Sequence, residues 1–389
     1  MKNVIDDKAF KIADELKKIR HTLHKNPELG NAEFKTSELI KQKLTEFGIP
    51  YEVMAGTGVK AVIRGNDGGR AVLLRADMDA LPIKDESGVE FASETNGLMH
   101  ACGHDVHVTC LLGAAKILNE IKDRLNGNVV LAFQPDEEGD GGAERMIAEG
   151  IMDNPKVGAA FALHVEPLEE TGKIQIKNGP IMASPDDFEI IITGTGGHGA
   201  YPEKCVNPIE IGAEILKRYK EQIINDPEKR VVSICSFNGG TCRNAIPDSA
   251  ILTGTARSLD NETRRELKDK LQSIAENTAK EMGGRAEFNF NVLFPPVIND
   301  ENMNEIVKKA ADRLDCINGI TVLPHAAMTG DDFSYFSQAV PGAYFKLGVG
   351  NTQIDAVYPL HSPKFRADDN ALPIGAAIMA QIAEEYLND

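Results

Sequence analysis

The order of strand-like and helix-like segments between residues 186 and 294 is the feature that most limits the fold of this chain. Short apolar, β-branched runs predict strands, and apolar residues at helical spacing predict helices. The predicted segments are, in order, a strand (187–193), a helix (about 207–224), two strands (230–237 and 250–257), a helix (261–282) and a strand (286–293). This β-α-β-β-α-β order is typical of the ferredoxin-like split βαβ arrangement, and about 110 residues suit one small domain.

The segments on either side of this region alternate between strands and helices. Before it, strands are predicted at 60–65, 71–78, 128–135 and 159–165, and helices at 8–25, 105–122 and 142–149. After it, helices are predicted at 300–314, 331–338 and from about 368, with a strand at 343–347. Such alternation indicates an α/β layer structure. We therefore predict a large α/β domain, formed by residues 1–185 and 295–389, into which a small domain of residues 186–294 is inserted.

Composition excludes several classes of partner. The net charge of −17 and the pI near 5.1 disfavour binding to nucleic acid or to an anionic membrane surface. No apolar run approaches the roughly 18 residues of a membrane-spanning helix. The six cysteines form no C-x-x-C motif and show no regular spacing. Free or metal-bound thiols are therefore expected, in keeping with a cytoplasmic protein.

Several side chains of the types that bind metals stand where predicted strands end, or in short rigid loops. They are Asp77 and Asp79 in "RADMDALP", Cys102 and His104 in "HACGHD", Glu137 and Glu138 in "FQPDEEGDGG", His164 in "FALHVEP" and His361 in "PLHSPKF". Each alone is a weak signal, because a lone histidine usually makes an ordinary hydrogen bond and a pair of glutamates is usually solvated. Together they favour a metal site, since a rigid sheet holds such loops still.

The donor types restrict which ions are suitable. Thiolate, imidazole and carboxylate together suit a transition-metal ion such as zinc, and they do not exclude manganese, nickel or cobalt. Calcium or magnesium would require a site rich in oxygen ligands. The set is also larger than one tetrahedral structural zinc site needs. We therefore expect two divalent transition-metal ions.

Motifs along nearly the whole chain carry a resemblance to a known family. They include "RHTLHKNPELGNAEFKTSELI" (20–40), "LLRADMDALPI" (73–83), "MHACGHDVHV" (99–108), "FQPDEEG" (133–139), "GTGGHGAYPEKCVNPI" (194–209), "RNAIPDSAILTGTAR" (243–257) and "LHSPKF" (360–365). The chain resembles the metal-dependent amidohydrolases of the aminoacylase/carboxypeptidase superfamily. The branch is the one that contains hippurate hydrolases, auxin-conjugate hydrolases and N-acetyldiaminopimelate deacetylases. The resemblance implies a zinc-peptidase-like α/β/α catalytic domain with an inserted ferredoxin-like lid or dimerisation domain.

The resemblance also implies roles for the candidate ligands. Cys102 is implied as a thiolate shared by two metal ions, and Glu137 as the general base that activates water. Asp79 is implied as the acid that orients a ligand or tunes the site. The remaining implied metal ligands are His104, Glu138, His164 and His361. Relatives elsewhere in the superfamily carry a metal-binding histidine where this chain has Asp77.

The small domain is expected to contribute groups that contact the substrate. The resemblance implies that His198 stabilises the oxyanion of the tetrahedral intermediate, often in the active site of a partner subunit. It implies that Asn244 and Arg257 hold a substrate carboxylate, and that the chain forms a homodimer or higher homo-oligomer through the small domain. Asp77 is typical of the chain's own branch, but one departure occurs elsewhere: relatives commonly have Gly-x-Glu-Asp-Phe where this chain has Asp331 in place of the glutamate.

Two local patterns allow other interpretations. "GTGGHG" formally matches the dinucleotide-binding motif G-x-G-x-x-G, but Pro202 and Pro208 delay the helix that should begin inside it, and no ribose-binding acid follows. His107 follows His104 by three residues on a predicted helix, and we interpret it as a neighbour of the metal site rather than a ligand.

The sequence therefore predicts a metallo-amidohydrolase that cleaves the amide bond of an N-acyl amino acid to give a carboxylic acid and an amino acid. A dipeptidase or carboxypeptidase with the same site is the first alternative, because peptide and acyl-amide bonds differ little at the reacting carbon. A catalytically silent metal-binding scaffold on the same fold is the second, and the presence of Glu137 argues against it.

Overall fold

The structure, a computed structural model, describes residues 3–66 and 69–389. These residues form two compact units. The first contains the chain up to Gly179, Ile298–Pro324 and Asp332–Asp389, and the second contains Pro180–Val297 and His325–Asp331. The predicted limits of the small domain, 186 and 294, differ from these by a few residues. The grouping of residues 325–331 with the second unit was not predicted, and the assignment of separate roles to two domains stays a prediction.

The described residues form helices and strands of widely varying length. The helices are α1 (Val4–Lys11), α2 (Ala13–Lys25), α3 (Phe34–Glu46), α4 (His104–Glu120), α5 (Gly142–Ala148), α6 (Pro208–Gln222), α7 (Asn261–Glu281), α8 (Glu301–Asp312), α9 (Ser334–Ala339) and α10 (Ala371–Asn388). The strands are β1 (Tyr51–Met54), β2 (Gly58–Arg64), β3 (Ala71–Asp77), β4 (Asn128–Gln134), β5 (Ala159–Glu170), β6 (Ile174–Ile176), β7 (Gly179–Met182), β8 (Ser184–Thr193), β9 (Gly197–His198), β10 (Arg230–Gly239), β11 (Ala245–Ile246), β12 (Ser249–Ser258), β13 (Arg285–Asn291), β14 (Val297–Asn299), β15 (Ile320–Val322) and β16 (Gly342–Gly350).

The first unit is built on a mixed sheet with the strand order β1-β2-β4-β3-β5-β16-β6-β15. Its centre, β4-β3-β5-β16, is parallel, whereas β2 pairs antiparallel with β4 and β6 pairs antiparallel with β16. Every residue of β3 and β4 is buried, as expected for parallel strands covered on both faces. The predicted α/β class is confirmed.

The two faces of this sheet carry different side chains because successive residues of a strand point to opposite sides. Val72, Leu74 and Ala76 of β3 belong to the large apolar core, which also includes residues of α2, α4, α8 and α10. Arg75 and Asp77, on the other face, are buried and polar. The sheet therefore places its polar face next to the candidate site residues.

The single helix predicted over 8–25 is wrong in one respect. The chain forms two helices, α1 and α2, which are interrupted at Ile12 with φ −102° and ψ 6°. The interruption allows α1 to pack against α10 while α2 packs against α4. Helix α3 and the short strands at the edge of the sheet, β1, β6 and β15, were not predicted.

The second unit contains the predicted ferredoxin-like pattern. Strands β8, β10, β12 and β13 form an antiparallel sheet in the order β10-β12-β8-β13, and helices α6 and α7 follow β8 and β12 in the chain. The apolar core of this unit joins the sheet to the two helices through Ile192, Ile215, Leu252 and Leu271. A small ribbon pairs His198 of β9 with Ala245 of β11. The βαββαβ prediction is confirmed.

Among the described residues, no helix is both long and apolar enough to cross a membrane. Helix α10 is long and almost entirely buried, and it packs on α4 and α1 within the first unit.

The contact between α4 and α10 depends on a glycine. A Cβ atom at Gly375 would overlap the sulfur of Cys110 and lie 3.1 Å from Leu347. Helix propensity alone favours alanine over glycine by about 1 kcal/mol, whereas overpacking a core costs about 1–3 kcal/mol. We expect Gly375→Ala to lower the free energy of unfolding, as measured by urea denaturation.

The matched control removes the overlapping sulfur. In a Cys110→Ala background, Gly375→Ala is expected to cost clearly less than it does in the wild-type chain. Equal urea midpoints for the wild type and the single Gly375→Ala variant would contradict this description of the helix contact.

Candidate metal centre

The candidate ligands lie in segments at one edge of the parallel strands. Asp77 is the last residue of β3, and Glu137 and Glu138 follow the end of β4. His164 lies within β5, and His361 follows β16. Because parallel strands have their carboxyl ends at the same edge of a sheet, these segments converge.

The "CGH" motif contains the other two candidates, Cys102 and His104. The glycine between them has a backbone conformation that residues with a Cβ atom rarely adopt. Gly103 has φ +87° and precedes His104, the first residue of α4. A Cβ atom at Gly103 would overlap Val165 of β5. Glycine adopts the left-handed conformation at little cost, so the chain turns sharply between Cys102 and His104 while packing against β5.

The Cys102 sulfur lies close to two of the candidate histidines. Cys102 Sγ lies 3.5 Å from His164 Nε2 and 3.3 Å from His361 Nε2. The backbone N–H of His361 donates to Ala101 O at 2.9 Å, which attaches the last loop to the "CGH" turn. Burial, followed by the negative charges of Glu138 and Glu137, raises the pKa of the Cys102 thiol well above its usual value.

Each of the two glutamates lies near one of the candidate histidines. His361 Nε2 lies 3.2 Å from Glu138 Oε1, and His104 Nε2 lies 4.0 Å from Glu137 Oε2. Three groupings with donor atoms within 4.8 Å of one another consist only of predicted ligands and Glu137: Cys102 with His104 and His164, Cys102 with Glu138 and His361, and His104 with Glu137 and Glu138. The structure thus brings together all five predicted ligands and Glu137.

Two imidazoles direct their Nε2 atoms toward the centre. His164 Nδ1 lies 2.8 Å from the carbonyl oxygen of Val165, which accepts only, so Nδ1 carries the proton and Nε2 offers a lone pair toward Cys102. His104 Nδ1 donates to the carbonyl of Asp79 at 2.8 Å. Among the described residues, buried His104 Nε2 has no hydrogen-bond partner. A metal ion would satisfy it, because a ligating histidine typically donates from its other nitrogen.

The carboxylates control the charge of His104. Burial, the largest effect, lowers the pKa of this imidazole, but Asp77 and Asp79 outweigh it and raise the pKa to about 10. Asp79 Oδ2 also accepts the backbone N–H of Glu138 at 2.9 Å. Asp79 therefore contacts both the His104 ring and the turn that carries Glu138. In the chain alone, a proton on His104 balances the carboxylates, and a divalent cation would take its place.

Asp77 and His107 form a further grouping with His104, and both make hydrogen bonds to other residues. Asp77 accepts hydrogen bonds from Arg75 (2.6 Å) and from His107 Nδ1 (2.5 Å). His107 Nε2 accepts the backbone N–H of Val165 at 2.9 Å, so both of its ring nitrogens are engaged. Burial opposes ionisation of Asp77, but the charges of Arg75 and His104 and the hydrogen bond from His107 hold its pKa well below the usual value.

A second buried network was not predicted. Arg75, 1% exposed, donates to Gln134 (2.8 Å) and Asp332 (2.9 Å) as well as to Asp77. Asp332 also accepts the backbone N–H of Ala143 at 3.0 Å. The network ties the ends of β3 and β4 to the start of α5. An arginine in an otherwise apolar strand was the sequence signal for it.

The other candidates lie in the second unit. His198 is exposed, and its Nδ1 accepts the backbone N–H of Ala200 at 3.0 Å. The N–H of Gly199 donates to the carbonyl of Asn244 at 2.9 Å, which brings Asn244 beside His198. Arg257 lies in β12 opposite Val231, and Asp331 is buried.

Comparison with known proteins identifies the family. Residues 73–385 match the model of peptidase family M20/M25/M40, so the chain belongs to this family. Thermostable carboxypeptidase 2 of Saccharolobus solfataricus is 39% identical over 385 residues, which cover 97% of this chain and 96% of that protein. IAA-amino acid hydrolase ILR1-like 6 of Arabidopsis thaliana is 38% identical over 379 residues, which cover 96% and 80%.

Solved structures show the same architecture. A dinuclear metal-binding peptidase of the M20 family from Bacillus subtilis has a TM-score of 0.85 and 33% identity, with 97% of this chain and 99% of that chain covered. An aminohydrolase from methicillin-resistant Staphylococcus aureus has a TM-score of 0.93 and 29% identity, with both chains fully covered. The predicted family resemblance is confirmed.

The buried donor atoms predict that a transition-metal ion stabilises the folded chain. Protein treated with a chelator should melt at a lower temperature than protein supplied with Zn²⁺ or Mn²⁺, because the ion binds the folded state only. At a free ion concentration 100 times Kd, the expected gain is about 2.7 kcal/mol. Calorimetry with and without the chelator measures it.

Two cysteine variants test whether the stabilisation by metal depends on Cys102. Cys102→Ala should lose metal and with it most of the stabilisation, whereas Cys110→Ala, which changes a buried thiol outside the groupings, should keep both. Metal content is measured by mass spectrometry of the desalted protein. A fully metallated Cys102→Ala variant would contradict the central position of Cys102.

Proposed function

We propose that the chain hydrolyses the amide bond of N-acyl amino acids and uses two divalent transition-metal ions. The observation that carries the proposal is the convergence of thiol, imidazole and carboxylate donors on Cys102, with Glu137 beside them. Membership of peptidase family M20/M25/M40 supports metal-dependent cleavage of an amide bond. The deacylating relatives, which include N-acetyl-L-cysteine deacetylase of Bacillus subtilis at 36% identity, support the substrate class.

The groupings suggest how the ligands are divided. Cys102, His104 and His164 would hold one ion, and Cys102, Glu138 and His361 would hold the other, with the thiolate shared. The unpaired Nε2 of His104 and the lone pair of His164 Nε2 fit such ions. The mixed donor set suits manganese or zinc, and nickel or cobalt are alternatives.

Glu137 is suited to proton transfer. When bound, divalent ions lower the pKa of water and polarise the scissile carbonyl. Glu137 would accept a proton from the attacking water and pass it to the departing amine, which otherwise leaves poorly. Asp79, which contacts His104 and the Glu138 backbone, would keep the histidine in the tautomer that presents Nε2.

Three residues of the second unit are further candidates for contact with the substrate. We propose that His198 donates to the developing oxyanion and that Asn244 and Arg257 hold the carboxylate of the amino acid. We also propose a homodimer or higher homo-oligomer formed through the small domain, and a cytoplasmic location.

A peptidase activity is the second candidate. Two carboxypeptidases of Saccharolobus solfataricus, at 39% and 37% identity, favour cleavage of a C-terminal peptide bond or of a dipeptide with the same groups. The reacting carbonyl is equivalent in both substrate classes, so specificity depends on the groups that surround it.

A hydrolysis screen separates these activities. Purified protein is offered N-acetyl, N-benzoyl, indole-acyl and succinyl amino acids beside simple dipeptides, with Mn²⁺, Zn²⁺, Co²⁺ or Ni²⁺ and with a chelator. Release of a carboxylic acid that the chelator abolishes supports the amidohydrolase. Preferential cleavage of dipeptides favours the peptidase, and absence of turnover despite bound metal favours a silent scaffold.

Neighbouring glutamates provide a matched pair for testing the general base. Glu137→Gln should keep its metal and lower kcat about 10²–10⁴-fold, the usual loss for a general base. Glu138→Gln should instead lose affinity for metal, because it removes a ligand charge. Activity and metal content are measured on the same samples, and wild-type kcat in Glu137→Gln would remove Glu137 from this role.

A further inference from the structure

The loop between α2 and α3 lies against the loops that carry the candidate site. The carbonyl of Glu28 accepts the N–H of Ala80, next to Asp79, at 2.8 Å. Glu33, at the start of α3, reaches the turn after β4 that carries Glu137.

The turn after β4 has an unfavourable backbone conformation at Asp136. Its φ of +57° lies in the left-handed region, which is unfavourable for a residue with a Cβ atom. Its side chain accepts hydrogen bonds from Asn31 (2.7 Å) and Arg145 (2.9 Å). Its carbonyl accepts from Gly141 and Gly142 at 3.2 and 3.1 Å. This conformation sets the direction in which the next two residues, both glutamates, leave the strand.

Glu33 accepts a hydrogen bond from the backbone N–H of Asp136. Its Oε1 accepts the N–H of Asp136 at 2.9 Å, and its Oε2 accepts the hydroxyl of Thr57 at 2.6 Å. Glu33 is 0% exposed and Thr57 is 3% exposed. Both oxygens are therefore fixed by buried donors, and the carboxyl group cannot rotate away from Asp136.

A buried carboxyl group with no cationic partner among its described contacts contributes little net stability, because its desolvation cost opposes its hydrogen bonds. Burial accordingly raises the pKa of Glu33. The contact with Asp136 gives a reason for a glutamate at this position.

We propose that Glu33 is a positioning residue, which fixes the backbone of Asp136 and thereby the placement of Glu137 and Glu138. It acts through the turn and touches neither metal nor substrate. Its effect on catalysis rests on the proposed hydrolysis, whereas its effect on metal geometry rests only on the proposed metal centre.

Variants of Glu33 separate positioning from charge. Glu33→Gln keeps an oxygen for the Asp136 N–H and places an amide beside the Thr57 hydroxyl, so it should behave like the wild type. Glu33→Ala removes the acceptor. If the alanine variant does not fold, Glu33→Asp replaces it. Its side chain is one methylene shorter, so it should weaken the contact with Asp136 and change the metal site in the same way.

The control variant removes a similar group elsewhere. Asp6 is a buried carboxylate that accepts the N–H of Asp315 at 2.7 Å and belongs to none of the ligand groupings. Asp6→Ala should lower the melting temperature and leave the metal site unchanged. It therefore reports what loss of a buried carboxylate does to stability alone.

The readouts are the absorption spectrum of the Co²⁺-loaded protein, the Co²⁺ affinity, and kcat and KM for a substrate identified in the screen. In Glu33→Ala we expect an altered spectrum, Co²⁺ affinity weakened about 10–100-fold, and kcat lowered by a similar factor with KM unchanged. Glu33→Gln should restore all three.

The proposal is overturned if Glu33→Ala or Glu33→Asp keeps the wild-type Co²⁺ spectrum and affinity, or if Glu33→Gln is as impaired as Glu33→Ala. It is also overturned if Asp6→Ala changes the spectrum equally. If the wild type hydrolyses nothing, the proposed function fails, yet the Co²⁺ measurements still test Glu33.

Discussion

The parallel pairing of β4, β3, β5 and β16 is the constraint on which the rest of the structure depends. Because these strands run in the same direction, the loops that follow them meet at one edge of the sheet. The side chains that converge there are a thiol, imidazoles and carboxylates, most of them buried. Burying so many polar groups is costly unless they are paired or bind a metal ion. A divalent cation at this edge would offset that cost.

The surroundings of the site fix the donors in place. The Val165 carbonyl selects the tautomer of His164, and Asp79 holds His104 and the turn of Glu138. Each contact reduces the freedom that a ligand would otherwise lose on binding an ion. Arg75 fixes the ends of β3 and β4 relative to each other, because it donates buried hydrogen bonds to Asp77 and Gln134. Preorganisation of this kind allows a metal site to be built from residues distant in sequence.

The sequence predicted the elements whose patterns are strong and local. The βαββαβ order and the central strands have clear periodicity, and the candidate ligands were found because each follows a strand or stands in a distinctive motif. The short strands β6 and β15 were missed because three-residue strands depend on their neighbours in the sheet rather than on their own residues. The contact of Glu33 with Asp136 joins residues 103 positions apart, and no local pattern reports it. The ligand roles themselves stay predictions that the convergence supports.

The most direct test of the proposed dinuclear centre is a crystal structure of the metal-loaded protein. Anomalous diffraction would be recorded on both sides of the metal absorption edge. A shared thiolate predicts two anomalous peaks, each about 2.3 Å from Cys102 Sγ for zinc, one near His164 and the other near His361. A single peak, or peaks away from Cys102, would contradict the dinuclear centre.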